Sequence, residues 1–176
     1  MRDPKQFFRV RDTYECSACG YIGYFATARR GLPKGPFRCP NCESRPRDRT
    51  IALFFKKNDI DLEGKNILHF APEWPLFRKL KNEPGYVGGD IQERRNANAF
   101  VDITSISFPS AHFDFLIANH VLEHVHDDKQ AMKECYRVLK KGGIGIFSVP
   151  LSGKTKTWEP PVGMSVPEIE AIVGWD

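Results

Sequence analysis

The sequence predicts an α/β protein in which a doubly wound, mostly parallel sheet follows a small four-cysteine ribbon. Three observations carry this. From residue 64 onward, short apolar strand candidates alternate with amphipathic helical stretches, the pattern of a parallel sheet covered on both faces. The ends of those strands carry acidic and amide residues. Ahead of them stand two C-x-x-C pairs in a stretch of opposite charge balance. The expected division is a ribbon-like module with a linker helix over 1–60 and the α/β domain over 61–176.

The cysteine pairs come first in the chain. "CSAC" (Cys16, Cys19) and "CPNC" (Cys39, Cys42) are separated by 19 residues. Two thiolates three positions apart on a tight turn grip one ion, and two such turns complete a tetrahedral four-sulfur site. Gly20, Pro40 and Asn41 supply suitable turn chemistry, and "YIGYF" (21–25) with "PFRC" (36–39) reads as a small hairpin. A four-thiolate set also suits iron, but zinc is the preferred reading; disulfides are disfavoured without an export signal. Four closed ligands leave no open position, so the predicted role of Zn²⁺ is structural. Residues 1–60 hold 13 Lys+Arg against 6 Asp+Glu, whereas 61–176 hold 13 against 16. A basic module of this kind fits an acidic partner such as nucleic acid, with Arg29, Arg30, Arg45, Arg47 and Arg49 as phosphate contacts and Tyr14, Tyr21, Tyr24 and Phe25 as stacking groups; it fits a solvated face equally well.

The predicted strands of the second part are 66–71, 85–91 (GYVGGDI), 99–103 (AFVDI), 113–119 (FDFLIAN) and 143–150 (GIGIFSVP). Helices are expected at 75–82, where Pro75 suits the first position, and at 128–141, where Asp127 caps with Gln130 and Gly142-Gly143 stops the chain. Ala131, Cys135, Val138 and Leu139 share the apolar face of that second helix, so Cys135 reads as a core filler.

Ligands of such sheets bind beyond the carboxyl ends of the strands. The first strand ends at Phe70-Ala71-Pro72-Glu73, with no glycine in the turn. The second ends at Asp90, 17 residues after Glu73, near the ~20 at which an acidic residue takes ribose hydroxyls. The third delivers Asp102-Ile103 and the fourth Asn119-His120. Four polar ends on one rim favour a nucleoside site.

"FPSAHFDFLIANHVLEHVHDDKQAMKECYRVLKKGGIGIFSVP" (108–150), with "GYVGGDI" and "VDIT" at matching offsets, resembles a class I S-adenosylmethionine-dependent methyltransferase over about residues 64–150. The preceding ribbon and "ESRPRDR" (43–49) resemble a bacterial subgroup with this two-part layout. The resemblance implies a Rossmann-like methyltransferase sheet. It implies Asp90 on the ribose hydroxyls, Ile91 on the adenine, Asp102 accepting from the adenine amino group, and the Ile103 amide donating. Asn119 and His120 would face the methionyl part and the acceptor. His69 stands where the family has an acidic residue, and Ala71 and Glu73 stand at two glycine positions. Glu73 can instead meet the cofactor's ammonium; a crippled site is the other reading. The acceptor is a small molecule, a sugar or a nucleic acid, and a scaffold that has lost the cofactor is a further alternative.

"HVLEH" (120–124) also spells H-x-x-E-H, an inverted zinc-protease arrangement. His120 closes a predicted strand, so the helical spacing that motif needs is not expected; Glu123 and His124 read as pocket-lining residues, and His120, Glu123 and His124 as candidate bases. No apolar run approaches a membrane span, and the start lacks the core of a signal peptide; cytoplasm is the expected compartment. Only 26 residues follow Pro150, without the closing two strands of the resembled family. The expectation is a C-terminally short domain whose last strand edge is open to a second copy.

Overall fold

The computed structural model describes residues 12–26, 36–94, 96–150, 161 and 163–173. Arg29 and Arg30, and the stretch 151–160, lie outside the described residues. The chain forms two compact units, Met1–Glu63 with Glu73–Leu80, and Gly64–Pro72 with Lys81–Asp176.

In the first unit, β1 (Tyr14–Glu15) pairs antiparallel with β2 (Ile22–Gly23), Tyr14 opposite Gly23 and Glu15 opposite Ile22. This differs from the hairpin expected between 21–25 and 36–39, which is reduced to one bridge, Ala26 to Arg38. The reason is local: Cys16 N–H donates to Tyr21 O at 2.8 Å, so the first cysteine turn is itself a hairpin loop and pairs its own flanks. Helix α1 (Pro46–Lys57) follows, with Pro46 at its first position. The Arg45 amide donates to Asp48 Oδ2 at 2.7 Å, which closes the first turn. Ile51 and Phe55, four apart, are its buried residues. Helix α2 (Trp74–Leu80) buries Phe77 and Leu80 and stacks Trp74 on Phe77 at 6.1 Å. It begins one residue before Pro75, which thus sits second.

The second unit is a five-stranded sheet in the order β5-β4-β3-β6-β7. Its strands are β3 (Ile67–Phe70), β4 (Tyr86–Asp90), β5 (Ala99–Phe100), β6 (Phe113–Asn119) and β7 (Leu139–Ser148). All four neighbour pairs are parallel. The first strand in sequence is central in space, pairing with β4 on one side and β6 on the other. This is the order reversal of a doubly wound sheet, and it opens a crevice where β3 and β6 separate at their carboxyl ends. Among the described residues β7 pairs only with β6.

Every residue of β3 is buried, and its partner β6 is buried from Phe115 to Asn119, as continuous apolar runs of a parallel sheet require. Helix α3 (Asp128–Val138) covers this sheet with Ala131, Cys135 and Val138, which join Leu68, Phe70, Val101, Ile103, Ile106, Phe113 and Leu116 in one core. Cys135 is 1% exposed, and burial pushes its thiol up to about 12, as suits a core filler. Asp127 caps α3 by accepting from Gln130 N at 2.9 Å. Arg137 near its end donates to Phe108 O at 2.8 Å and Ile106 O at 2.7 Å, and Glu134 accepts from Ile106 N at 2.9 Å. These bonds fasten the 106–108 loop to the helix.

The end of α3 departs from expectation. It stops at Val138, not at Gly142-Gly143, and Leu139 is already extended. Lys140 Nζ reaches both Asp114 oxygens at 2.9 Å, and Asp114 Oδ2 also accepts from Asn66 N at 2.9 Å. That clamp holds the chain against the start of β6, and the surplus residues 140–143 form a register shift between the Leu139 and Ile144 pairings. Gly142 supplies the φ of +80° that the shift needs. The third strand is also shorter than 99–103: Asp102 turns away to bridge Ser105. A short helix α4 (Val166–Val173) is an element that the sequence reading did not anticipate. Its signal was present: Ser165 and Glu168 form a capping pair, with Ser165 N–H donating to Glu168 at 2.8 Å.

Candidate functional site

The four cysteines converge within the first unit. Their sulfurs all lie within 4.8 Å of one another, and they form the only group of three or more potential metal ligands among the described residues. Cys16 Sγ to Cys42 Sγ and Cys19 Sγ to Cys39 Sγ are each 3.7 Å. A tetrahedron with Zn–S bonds of about 2.3 Å has edges of about 3.8 Å, whereas a disulfide is about 2.05 Å long. The donor set therefore fits one tetrahedral ion. Each C-x-x-C turn closes with a left-handed residue directly after its second cysteine, Gly20 (φ +73°) and Glu43 (φ +65°). Backbone bonds shape both turns: Gly20 N to Cys16 O at 2.7 Å, Glu43 N to Cys39 O at 2.9 Å and Cys39 N to Ser44 O at 3.0 Å. Burial pushes the Cys42 thiol up to about 12 and raises Cys39. A buried thiolate thus needs a cation to exist here. Cys19, the exposed member, is lowered to about 7, because bonds from Tyr21, Asn41 and the neighbouring thiols outweigh its burial.

Several groups read from the sequence as nucleic-acid contacts have internal duties. Arg49 donates to Ser44 O at 2.7 Å, to Phe37 O at 3.3 Å and to Pro36 O, and its guanidinium lies 5.1 Å over the Phe25 ring. Tyr14 and Tyr21 each pack on Phe25 at 6.0 Å. These side chains tie the ribbon together.

In the second unit, the carboxyl rim of the sheet carries most of the sequence-predicted residues. Asp90 closes β4 and is 6% exposed. Its Oδ1 accepts from Gln92 N at 2.9 Å; Oδ2 lies 3.1 Å from Arg94 Nε but makes no hydrogen bond of good geometry. Ile91 is 61% exposed, an apolar side chain left without apolar cover. Asp102 Oδ1 is taken by Thr104, from its amide at 2.8 Å and its hydroxyl at 2.7 Å, while Ile103 is buried in the core. Asn119 closes β6, 5% exposed. Its Oδ1 accepts from Ser148 Oγ at 2.9 Å, and its Nδ2 is buried with no hydrogen-bond partner.

The two central strands end alike. Ala71 follows β3 with φ +41° and His120 follows β6 with φ +52°. Left-handed backbone costs a non-glycine residue roughly 1–2 kcal/mol, and such strain gathers at ligand sites. Ala71 thus adopts the geometry that glycine would take, which resolves how a glycine-free turn can stand there. Its amide donates to Gly89 O at 2.8 Å, and Asn96 holds the Pro72 carbonyl. His69 is fully buried, its Nδ1 3.0 Å from the Tyr86 hydroxyl, and so is a core group. Phe70, Ala71 and Pro72 belong to this unit, but Glu73 belongs to the first.

The H-x-x-E-H stretch is not an α-helix. Leu122–His124 is a single 3₁₀ turn. Glu123 Oε1 lies 3.2 Å from His120 Nδ1, whereas His124 is exposed. The protease geometry does not form.

A parallel sheet ordered 5-4-3-6-7, with an acidic residue closing β4 and polar residues at its reversal point, is a doubly wound sheet with its polar residues gathered where such folds bind ligands. Residues 87–147 match the family model described as "Methyltransferase domain". A Mycolicibacterium smegmatis protein named "Probable S-adenosylmethionine-dependent methyltransferase" is 35% identical over 49 residues, covering 28% of this chain and 19% of that protein's length. Among solved structures, a SAM-dependent methyltransferase from Aquifex aeolicus superposes with a TM-score of 0.46 at 16% identity, covering 69% of this chain and 78% of that one. The YcgJ protein of Bacillus subtilis does so with 0.45 at 19%, covering 57% and 50%. No helix among the described residues is long and apolar enough to cross a membrane.

Proposed function

We propose that the second unit binds S-adenosylmethionine along the carboxyl rim of β3, β4 and β6 and transfers its methyl group to a small-molecule or sugar acceptor. The observation that carries this reading is Asp90: a carboxylate 6% exposed, at the end of the strand beside the switch point, with one oxygen lacking a hydrogen bond. Buried acceptors are rarely left so, and a ribose diol supplies two donors. Ile91, exposed beside it, offers an apolar surface to the adenine. The Ile103 amide and Asp102 would hold the adenine edge, although Asp102 would share its Oδ1 with Thr104. Phe70, Ala71 and Pro72 would line the floor, and Asn119 and His120 the methionyl end. The cofactor supplies a methyl group already activated on a sulfonium, so alignment and exclusion of water are what the chain contributes.

The ribbon takes one Zn²⁺ on Cys16, Cys19, Cys39 and Cys42 in a structural role. A nucleic-acid role for the ribbon gains nothing from Arg49, Tyr14, Tyr21 or Phe25, which serve its own packing, and we favour the small acceptor. Isothermal titration with S-adenosylhomocysteine tests the cofactor reading: binding at one site per chain supports it, and no heat up to millimolar ligand overturns it.

A further inference from the structure

Two of the ribbon thiols share a polar neighbour. Cys16 and Cys42 are 0% and 2% exposed, and the Ser44 hydroxyl oxygen stands 3.2 Å from each of their sulfurs. Resting on the reading of the cysteines as one metal site, we propose that Ser44 is a positioning residue of that site. Its hydroxyl donates to the Cys16 and Cys42 thiolates and so lets the buried pair carry negative charge.

Three observations converge on this. Ser44 is 0% exposed, and a buried hydroxyl finds a protein partner as a rule. Among the described residues its partners are those two sulfurs. The residue is also held by its own backbone: Ser44 O accepts from Cys39 N at 3.0 Å and from Arg49 Nη1 at 2.7 Å. The left-handed Glu43 before it, φ +65°, turns the chain back over the thiols. The hydroxyl is therefore aimed by contacts to the second cysteine turn and to α1, not by the sulfurs it meets.

The direction of donation follows from protonation. A thiol is both a weak donor and a weak acceptor, so beside two thiols the hydroxyl can serve either way. Metal binding takes the proton from each thiol, and a thiolate only accepts. Ser44 then has to be the donor, with one proton between two acceptors 3.7 Å apart. A hydrogen bond to a charged acceptor is roughly twice as strong as a neutral one. The bond is thus stronger with the ion than without it, and it draws the equilibrium toward the loaded ribbon. Alanine would fill most of the same space and leave two buried thiolates without that proton. Asn41 Nδ2 stands 3.5 Å from Cys19 Sγ, but on the exposed side, where water competes for the same sulfur.

The test is cobalt(II) substitution of the full chain in the wild type, Ser44→Ala, Ser44→Thr and Ser17→Ala. Ser17 is the control: its hydroxyl, in the same module, donates to Arg49 O at 3.0 Å instead of to sulfur. The sulfur-to-cobalt charge-transfer band reads the thiolates directly, since losing a donor raises the sulfur lone pairs. The Ser44→Ala band should move to longer wavelength, with Ser44→Thr and Ser17→Ala unmoved. Zinc competition against a chromophoric chelator should show Ser44→Ala weaker by about 10- to 100-fold. An unmoved band in Ser44→Ala, or a zinc affinity equal to the wild type, overturns the proposal; a packing role alone would lower affinity without touching the sulfur orbitals. A Ser17→Ala band that moves as far as that of Ser44→Ala overturns it too. If Ser44→Ala takes up no cobalt, Ser44→Thr decides: uptake with the wild-type band supports the hydroxyl, and no uptake overturns it. A wild type without a tetrahedral four-sulfur cobalt spectrum sinks the metal reading itself, whereas that spectrum with an unmoved Ser44→Ala band sinks only Ser44.

Discussion

The cysteine turns and the strand-end turns are built from the same unusual backbone and leave opposite remainders. In the ribbon, Gly20 and Glu43 take left-handed conformations so that each chain can fold back over its own thiols, and the turn amides find carbonyls within the turn. At the sheet rim, Ala71 and His120 take the same conformation, yet Asp90 Oδ2, Asn119 Nδ2 and Glu123 Oε2 stay buried without hydrogen bonds. A turn that satisfies its own backbone leaves only its thiols to a ligand, and those four thiols fit one tetrahedral ion. A turn that leaves buried polar atoms unanswered is shaped for something that arrives and departs.

This contrast can be broken from either side. The largest effect should come from the ribbon. Elemental analysis should find about one zinc per chain, and Cys39→Ser or a strong chelator should collapse the ribbon, since apparent binding energies of structural zinc run to about 10–16 kcal/mol. Freshly purified, reduced protein without metal would remove the distinction. At the rim, Asp90→Ala should weaken S-adenosylhomocysteine by about 30- to 150-fold, the roughly 2–3 kcal/mol of charged hydrogen bonds, measured by calorimetry. Equal binding would mean that Asp90 is not the ribose ligand.

Ala71→Gly sharpens the comparison at lower cost. Removing the Cβ from a left-handed residue should stabilise the fold by about 0.5–1 kcal/mol after the entropy of glycine is set against it, seen as a shift in the urea midpoint; destabilisation would show that the turn is unstrained. The smallest effect belongs to the Asp114–Lys140 clamp. The Lys140 ammonium, opposed by partial burial and helped by the Asn66 amide, holds the Asp114 carboxyl below the usual carboxylate range. The contribution is therefore complete at neutral pH and is lost as pH falls through the depressed folded value. Both side chains are partly exposed, so Asp114→Asn should cost only about 0.5 kcal/mol at pH 7. The gap to the wild type should narrow as the solution is acidified, and a gap that did not shrink at all in acid would refute the linkage.

What could be read from the chain alone follows from how local each feature is. Four cysteines at fixed spacing announce their own geometry, and β6 was readable to the residue because 113–119 is apolar and bounded. The α3 terminus was misread because Gly142-Gly143 looks like a stop; the decisive contact, Lys140 to Asp114, joins residues 26 apart, and no local pattern carries it. Helix α1 could have been placed more firmly from Pro46, Asp48 and the Ile51/Phe55 spacing. The strand-end residues were legible from where the apolar strands stop, and their roles from resemblance, but not that Ala71 would assume a glycine's conformation, nor that His69 would be held by Tyr86. Those depend on neighbours across the sheet.

One consequence of the strand order concerns the ribosome. Because β3 is made first of the five-stranded sheet yet lies at its centre, the nascent chain can pair β3 with β4, and β4 with β5, while the other edge of β3 still waits for β6. The contact that closes that edge, Asn66 to Asp114, spans 48 residues. During that interval Ile67, Leu68 and Phe70, all fully or nearly fully covered in the finished fold, present a bare strand to anything nearby. Synthesis that stalls between β5 and β6 should therefore yield a sticky half-sheet, and a pause after β6 should be harmless.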